Sequence, residues 1–355
     1  MIAQSASSRR RKITLNDIAR EAQVSRATVS LVLRESPLVR ADTRARVLGQ
    51  MRRLGYVYNR AAANLRRQHS SHVALVINDL SNPFFAEFAA GVDEALGEAG
   101  YITLLGSTGE STTRQNAVLT SLMEHDLAAI ILSPAEGSDA QQIQSAVGTQ
   151  TPLLVFNREL AGSNRVRESW DFLGLDNRRG AYLATEHLLD LGHRRIAFFG
   201  GHADSSSCRE RRAGYLEALG ARGIVREPGW MVECAPTRLQ SAAQTGALFV
   251  RDPAPTAAVA YNDAVALGLM LGLAQRGLRP GHDFSITGFD DIPEAAVSTP
   301  PLTTVAVDPR ERGRQAARLA LQCAAAAPDI HLRTIAPVEL KVRASSAPPP
   351  GNQSV

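Results

Sequence analysis

Thr14-Leu15-Asn16-Asp17-Ile18-Ala19-Arg20-Glu21-Ala22-Gln23-Val24-Ser25-Arg26-Ala27-Thr28-Val29-Ser30 is the stretch on which the reading of this chain turns. It holds two helix starts close together. Thr14 is an N-cap type with Asp17 at the third helical position, and Ile13 and Ile18 sit where a hydrophobic staple would close over the cap. The pattern then repeats: Ser25 caps, Thr28 takes the third position, and Val24 faces Val29. Two short helices joined by a three-residue turn result, the geometry that lays a second helix in a DNA major groove. On that helix Val29, Val32 and Leu33 share one face, while Ala27, Leu31 and Arg34 point away, flanked by Arg26 and Ser30. A third apolar stripe at Val47, Leu48, Met51 and Leu54 ends at Gly55, a C-cap residue.

A small three-helix domain packed on the rest of the chain would show the same staples. Charge argues for a nucleic-acid module instead. Residues 1–72 hold 15 Arg or Lys and 4 Asp or Glu, a net of +11, whereas the whole chain is +4. A basic head on an acidic body is an electrostatic footprint for phosphate. The run Arg9-Arg10-Arg11-Lys12 reads either as a solvated tail or as an arm on the backbone of the duplex.

Outward from the head, 355 residues are long for one domain. No run of 18 apolar residues occurs, so no membrane span is expected, and a basic N-terminus without an apolar core points to the cytoplasm. Cys208, Cys234 and Cys323 show neither metal spacing nor a disulfide framework. No cofactor or metal is expected. After residue 71 short β-rich runs alternate with helical ones. Strands are expected at Val73–Asn78, Tyr101–Leu105, Ala129–Leu132, Leu153–Phe156, Phe172–Leu175, Arg195–Phe199, Met231–Cys234, Ala257–Tyr261, Ser285–Gly288 and Thr304–Val307. Ten strands with helices such as Phe85–Ala99 and Arg179–Leu191 between them suit two parallel sheets in two lobes. The fold class is therefore α/β, with an N-terminal all-α helix-turn-helix domain. The expected divisions are 12–58 for the head, 59–71 for a hinge or linker, 72–343 for the body and 344–355 for a disordered, Pro-rich tail. Asn59–Gln68 reads as a plain basic linker or as a segment helical only on DNA, with Leu65 as a minor-groove wedge.

Taken together, Leu15-Asn16-Asp17-Ile18-Ala19, Val24–Ser30, Leu54-Gly55-Tyr56, Asn59–Leu65, Ser81-Asn82-Pro83-Phe84-Phe85, Asn262-Asp263, Gly288-Phe289-Asp290-Asp291 and Pro301-Leu302-Thr303-Thr304-Val305 resemble the LacI family of bacterial transcription regulators over residues 12–343. The resemblance implies a dimeric repressor controlled by a ligand, with a periplasmic-binding-protein-like body. It implies DNA contacts from Ser25, Arg26, Ala27, Thr28, Ser30, Leu31, Tyr56, Asn59 and Leu65. Its partners would be double-stranded operator DNA, a sugar or sugar derivative and a second copy of the chain. Two positions depart from the family pattern. Leu31 stands where arginine is usual, so a guanine contact gives way to an apolar one such as a thymine methyl; alternatively Leu31 packs against the hinge. Tyr58 stands where proline is frequent.

Open α/β sheets bind ligands beyond their strand ends. The resemblance places effector contacts at such loops: Phe84 and Phe85 after the first strand, Asn157 and Arg158 after the fourth, Arg211, Asn262 after the eighth and Asp290 after the ninth, with Ser207 a weaker candidate. Phe84 or Phe85 could equally be core, and Asp263 and Asp291 read as structural. Against an enzyme, there is no G-x-G-x-x-G after a strand, no P-loop, no G-x-S-x-G and no metal-spaced set. His193, His202 and Cys208 are close in sequence but lack a supporting base. A transport-type sugar-binding protein would suit the body alone.

Overall fold

The computed structural model describes residues 13–34, 36–56, 70–160, 170–225, 227–250, 252–325 and 331–350. By its internal contacts the chain divides at His69/Ser70 into two units.

The first unit is a three-helix head: α1 (Leu15–Glu21), α2 (Arg26–Leu33) and α3 (Ala41–Leu54). Thr14 and Asp17 form a reciprocal capping box, and the Ser25 hydroxyl accepts from the Thr28 N–H at 3.0 Å. Each supplies an acceptor to a helix N–H that the helix itself cannot satisfy. Gly55 ends α3 at φ 64°, a left-handed turn that lets the Tyr56 N–H reach back to the Met51 carbonyl at 2.9 Å. Ile18, Val29, Val32, Val47 and Met51 form the core of this unit. Leu48, expected on the apolar stripe, is instead exposed, and the α3 stripe narrows to Val47, Met51 and Leu54.

Among the described residues the second unit carries twelve strands. In chain order these are β1 (His72–Ile77), β2 (Ile102–Ser107), β3 (Leu127–Leu132), β4 (Leu153–Phe156), β5 (Asp171–Leu175), β6 (Ile196–Phe199), β7 (Met231–Val232), β8 (Ala257–Ala260), β9 (Ser285–Asp290), β10 (Thr303–Ala306), β11 (Arg333–Ala336) and β12 (Glu339–Lys341). The helices that bear on the argument are α4 (Pro83–Glu98), α5 (Thr112–Met123), α6 (Ala140–Val147), α7 (Asn177–Asp190), α8 (Ser206–Ala221), α9 (Arg238–Gln244), α10 (Asp263–Ala274), α11 (Pro293–Val297) and α12 (Pro309–Ala325).

One sheet runs β11-β5-β4-β3-β1-β2 and the other β12-β10-β9-β8-β6-β7. All neighbours are parallel except β10 and β12. The order β2-β1-β3-β4-β5 recurs as β7-β6-β8-β9-β10, so the two lobes repeat one topology. Strand β1 shows why these sequences read as buried on both sides. Val73, Leu75 and Ile77 face a core that includes Phe88 and Val92 of α4 and Ala316 and Ala317 of α12. Ala74 and Val76 face a second core with Leu119 of α5 and Ile143 of α6. Helices α4 and α12 approach so closely that a Cβ on Gly91 would collide with the Arg310 carbonyl. The chain passes between lobes three times: from β5 into α7, from β10 into α12, and from β11 into β12.

Two expectations are corrected. Strands β11 and β12, absent from the sequence reading, lie at sheet edges with half or more of their residues exposed, so neither carries an apolar run. Residues 344–350, read as the start of a disordered tail, are built into the second lobe. Ser345 is fully buried. Its hydroxyl accepts from the Thr303 N–H at 2.8 Å and donates to the Ile286 carbonyl at 2.7 Å. Its backbone pairs with Ile286 and Pro301. The Ala347 carbonyl meets His193 Nε2 at 2.8 Å. These bonds run through backbone and hydroxyl groups, which leave no mark in composition. Among the described residues, no helix is long and apolar enough to cross a membrane.

Candidate functional site

In the head, burial of Val29 and Val32 turns the opposite face of α2 outward. Ser25, Arg26 and Ala27 are exposed, and Thr28, Ser30 and Leu31 are half-buried. Leu31 does not belong to the apolar residues packed on the head core, whereas Tyr56 does. Asn59 and Leu65 lie outside the described residues.

In the body, a cleft of about 370 Å³ opens where the two sheets present their C-terminal strand ends. The chain leaves β1 and β3 in opposite directions across the sheet, and β6 and β8 likewise, so each lobe has a switch point at this edge. The first lobe brings Phe84 and Phe85 after β1, Glu110 after β2, Glu136 after β3, and Asn157 with Arg158 after β4. The second brings His202 after β6, Thr237 after β7, Tyr261 and Asn262 after β8, and Asp290 at the end of β9. Arg211 reaches the cleft from α8.

Seven of the eight effector candidates thus share one cavity. Phe84 and Phe85 are both wall and core: their rings meet edge to face at 5.0 Å, and Phe84 stacks on Phe156 at 6.1 Å. Ser207 does not line the cleft. Its hydroxyl lies 2.9 Å from the Tyr261 hydroxyl and 2.9 Å from that of Ser205, so it orients Tyr261 from behind.

The two arginines are buried and held by several partners. Arg158 Nη1 donates to Glu110 at 2.7 Å and to the Pro134 carbonyl at 3.2 Å, and Nη2 lies 3.7 Å from Glu136. Burial works against its charge, but Tyr261, Glu110 and Glu136 outweigh it and raise its pKa, so it stays a cation. Arg211 donates from Nε to Asn177 Oδ1 at 2.9 Å and from Nη1 to the Tyr261 carbonyl at 2.6 Å. Its guanidinium lies 3.6 Å from the Phe289 ring centroid and 4.9 Å from that of Tyr261. Nη2 stands 3.9 Å from Asp290. Burial pushes the Asp290 carboxyl up to about 7, with Arg211 opposing. Asp263 beside it is raised too, by burial and then by the Asp290 charge, although it accepts from the Thr304 hydroxyl at 2.5 Å and the Ile292 N–H at 3.0 Å. That is a structural role. Asn262 Oδ1 caps α10 by accepting from the Val265 N–H at 2.9 Å.

Glu110, Glu136, Thr237 and Tyr261 were not singled out in the sequence, and His202 was weighed there only as a catalytic group. Each follows a strand in the same way as those that were, so scanning every strand end would have found them. Burial raises the Glu136 carboxyl, against the pull of Arg158. The cleft therefore offers aromatic faces, fixed cations and carboxyl acceptors, the set that orients a small polyhydroxyl ligand. Nucleophilic chemistry at Cys208 is disfavoured, since burial pushes its thiol up to about 11. Among the described residues, no group of three or more His, Cys, Asp or Glu could hold a metal ion.

Comparison with known proteins gives the same two parts. Residues 14–59 match the model for bacterial regulatory proteins of the lacI family, and residues 185–346 match a periplasmic binding protein-like domain. The chain is 32% identical over 307 residues to the maltose regulon regulatory protein MalI of Escherichia coli, covering 82% of this chain and 88% of that protein. It is 31% identical to the ribose operon repressor of Haemophilus influenzae, covering 87% and 91%. Among solved structures, the lac repressor dimer bound to operator and an anti-inducer superposes with a TM-score of 0.83 at 26% identity, over 95% of this chain and all of that one. A regulator from Enterococcus faecium with bound ribose gives 0.69 at 26%, over 78% and 99%. A basic helix-turn-helix head, a two-lobed body with a polar cleft, and relatives that span nearly its whole length place the chain in the lacI family of bacterial regulatory proteins.

Proposed function

We propose that the chain is a sugar-responsive transcription repressor acting in the cytoplasm as a homodimer. Two heads read the halves of a near-palindromic operator. Arg26, Ala27 and Leu31 reach base edges, and Ser25, Thr28, Ser30 and Tyr56 hold the register on the backbone. Asn59–Leu65 is the hinge, with Leu65 as a wedge in the minor groove. A sugar in the cleft lies against Phe84 and Phe85 and bonds Asn157, Arg158, Arg211, Asn262 and Asp290. By drawing the strand ends of the two lobes together it weakens the grip on the operator, a coupling of about 1–3 kcal/mol.

The observation that carries this reading is the cleft itself. Seven candidates from two sheets converge on one cavity, in a chain whose N-terminal unit turns an exposed Arg26 outward on α2. Relatives solved with operator and anti-inducer, and with ribose, support it.

The test is selection of duplexes from random DNA by the full-length chain. Anisotropy titrations of the winning site then follow, across salt and with a panel of sugars. A palindromic site whose affinity falls steeply with salt, and falls about 5- to 150-fold with one sugar, is expected. No salt-sensitive preference for any sequence, or a sugar that binds without changing operator affinity, would overturn the proposal.

A further inference from the structure

We propose that the cleft takes an effector without an anionic group, a neutral sugar or an amino sugar, and turns away the phosphate and uronate forms of the same ring. The inference rests on the reading of the cleft as a sugar site and concerns the charge class of its ligand.

Four carboxyl groups border the cleft, from Asp79, Glu110, Glu136 and Asp290, against two guanidiniums, from Arg158 and Arg211. No lysine stands among the described residues lining it, and His202 is the one further basic group. One guanidinium already has its own carboxylate, and the other has a partly protonated carboxyl beside it. Arg158 is bound by Glu110 at 2.7 Å, and Arg211 stands 3.9 Å from Asp290 while donating to Asn177 and the Tyr261 carbonyl. Glu136, 3.7 Å from the guanidinium that Glu110 holds, is left in excess. Asp79 is satisfied only locally, by the Ser81 N–H and hydroxyl.

An incoming phosphate or carboxylate needs free N–H groups, ideally two in parallel on one arginine. Here it would meet Arg158 already bound by Glu110 and placed against Glu136, and Arg211 already committed to Asn177 and the Tyr261 carbonyl. In a partly enclosed cleft the repulsion from these carboxylates is screened less than it would be in open solvent. Burial already lifts the Glu136 carboxyl. A second anion would disfavour its charge further, whereas a nearby ammonium would restore it.

The test is calorimetric titration of the full-length chain with matched sets of sugars. Each set comprises a parent aldopentose, aldohexose or disaccharide, its amino form, its phosphate and its uronate. Binding is expected on a parent or amino member, with the phosphate and uronate of that ring weaker by at least about 100-fold. Glu136→Gln should narrow that gap to about tenfold. An anionic member that binds as tightly as its neutral parent overturns the charge inference and leaves the sugar reading standing. A gap unchanged by Glu136→Gln also overturns it, because the discrimination would then be steric. If no member of any set binds, the sugar reading itself fails and this inference with it.

Discussion

Asn157 and Asp290 hold equivalent positions in the two lobes. Asn157 follows β4 and Asp290 ends β9, the strands that correspond when one sheet order is laid on the other. Both are non-glycine residues at positive φ, 69° and 125°, and both line the cleft. Such backbone costs about 1–3 kcal/mol and persists where the site needs it. Asn157→Gly should therefore raise stability by about 1 kcal/mol and weaken effector binding about tenfold by removing the amide. Urea denaturation and calorimetry read the two effects separately; a glycine that leaves affinity intact would show that the Asn157 side chain makes no contact.

On the head, Leu31 lies on the turn of α2 that faces away from the core. Leu31→Arg should move the preferred operator toward guanine at one position of each half-site, with about 1–3 kcal/mol of discrimination from a bidentate contact. Selected-site sequencing of both proteins checks this. Identical preferences would mean that Leu31 does not reach the bases.

The carboxyl of Asp290, held up to about 7 by burial, makes stability depend on pH. From the unfolded value near 3.8 up to about 7, the folded chain keeps a proton that the unfolded chain releases. Its contribution is therefore complete at the acid end of that window and lost as pH rises through it. Asp290→Asn removes this loss, and also the charge that disfavours ionisation of Asp263. The variant should gain stability on wild type by on the order of a few kcal/mol between pH 5 and pH 8. Parallel stability curves for the two proteins would refute it.

The Ala344–Pro350 segment is the part of the chain most open to a truncation test. Removing residues 344–355 strips the partners of Thr303, Ile286 and Pro301 and leaves buried backbone groups unpaired. Each such group costs about 1–3 kcal/mol, so the melting temperature should drop by several degrees or more. Removing 351–355 alone should leave it unchanged. Calorimetric scans of the two truncations decide the matter.

What could be read ahead of the structure shares one property: its signal is local. Thr14 and Ser25 announce their caps within three residues, and apolar runs such as Leu153–Phe156 mark strands covered on both faces. The cleft residues Asn157, Arg158, Asn262 and Asp290 come from strand ends read together with the family resemblance. What escaped depends on partners far along the chain. Arg333–Ala336 is a strand only because β5 lies beside it. Glu110 and Glu136 stand at strand ends that a full scan would have covered, but their pairing with Arg158 needed the fold. Ser345 gains its role from Thr303 and Ile286.

The threefold passage of the chain between lobes also bears on synthesis at the ribosome. The sheet begun by residues 72–175 lacks its edge strand until residues 333–336 emerge, and α12 reaches its place against α4 just before. At a translation rate of roughly 5–20 residues per second, the first lobe waits on the order of ten seconds or more, incomplete along one border, while the second is still being made. The nascent chain therefore carries β5 as an open edge for close to half of its synthesis, a long interval in which chaperones can act there.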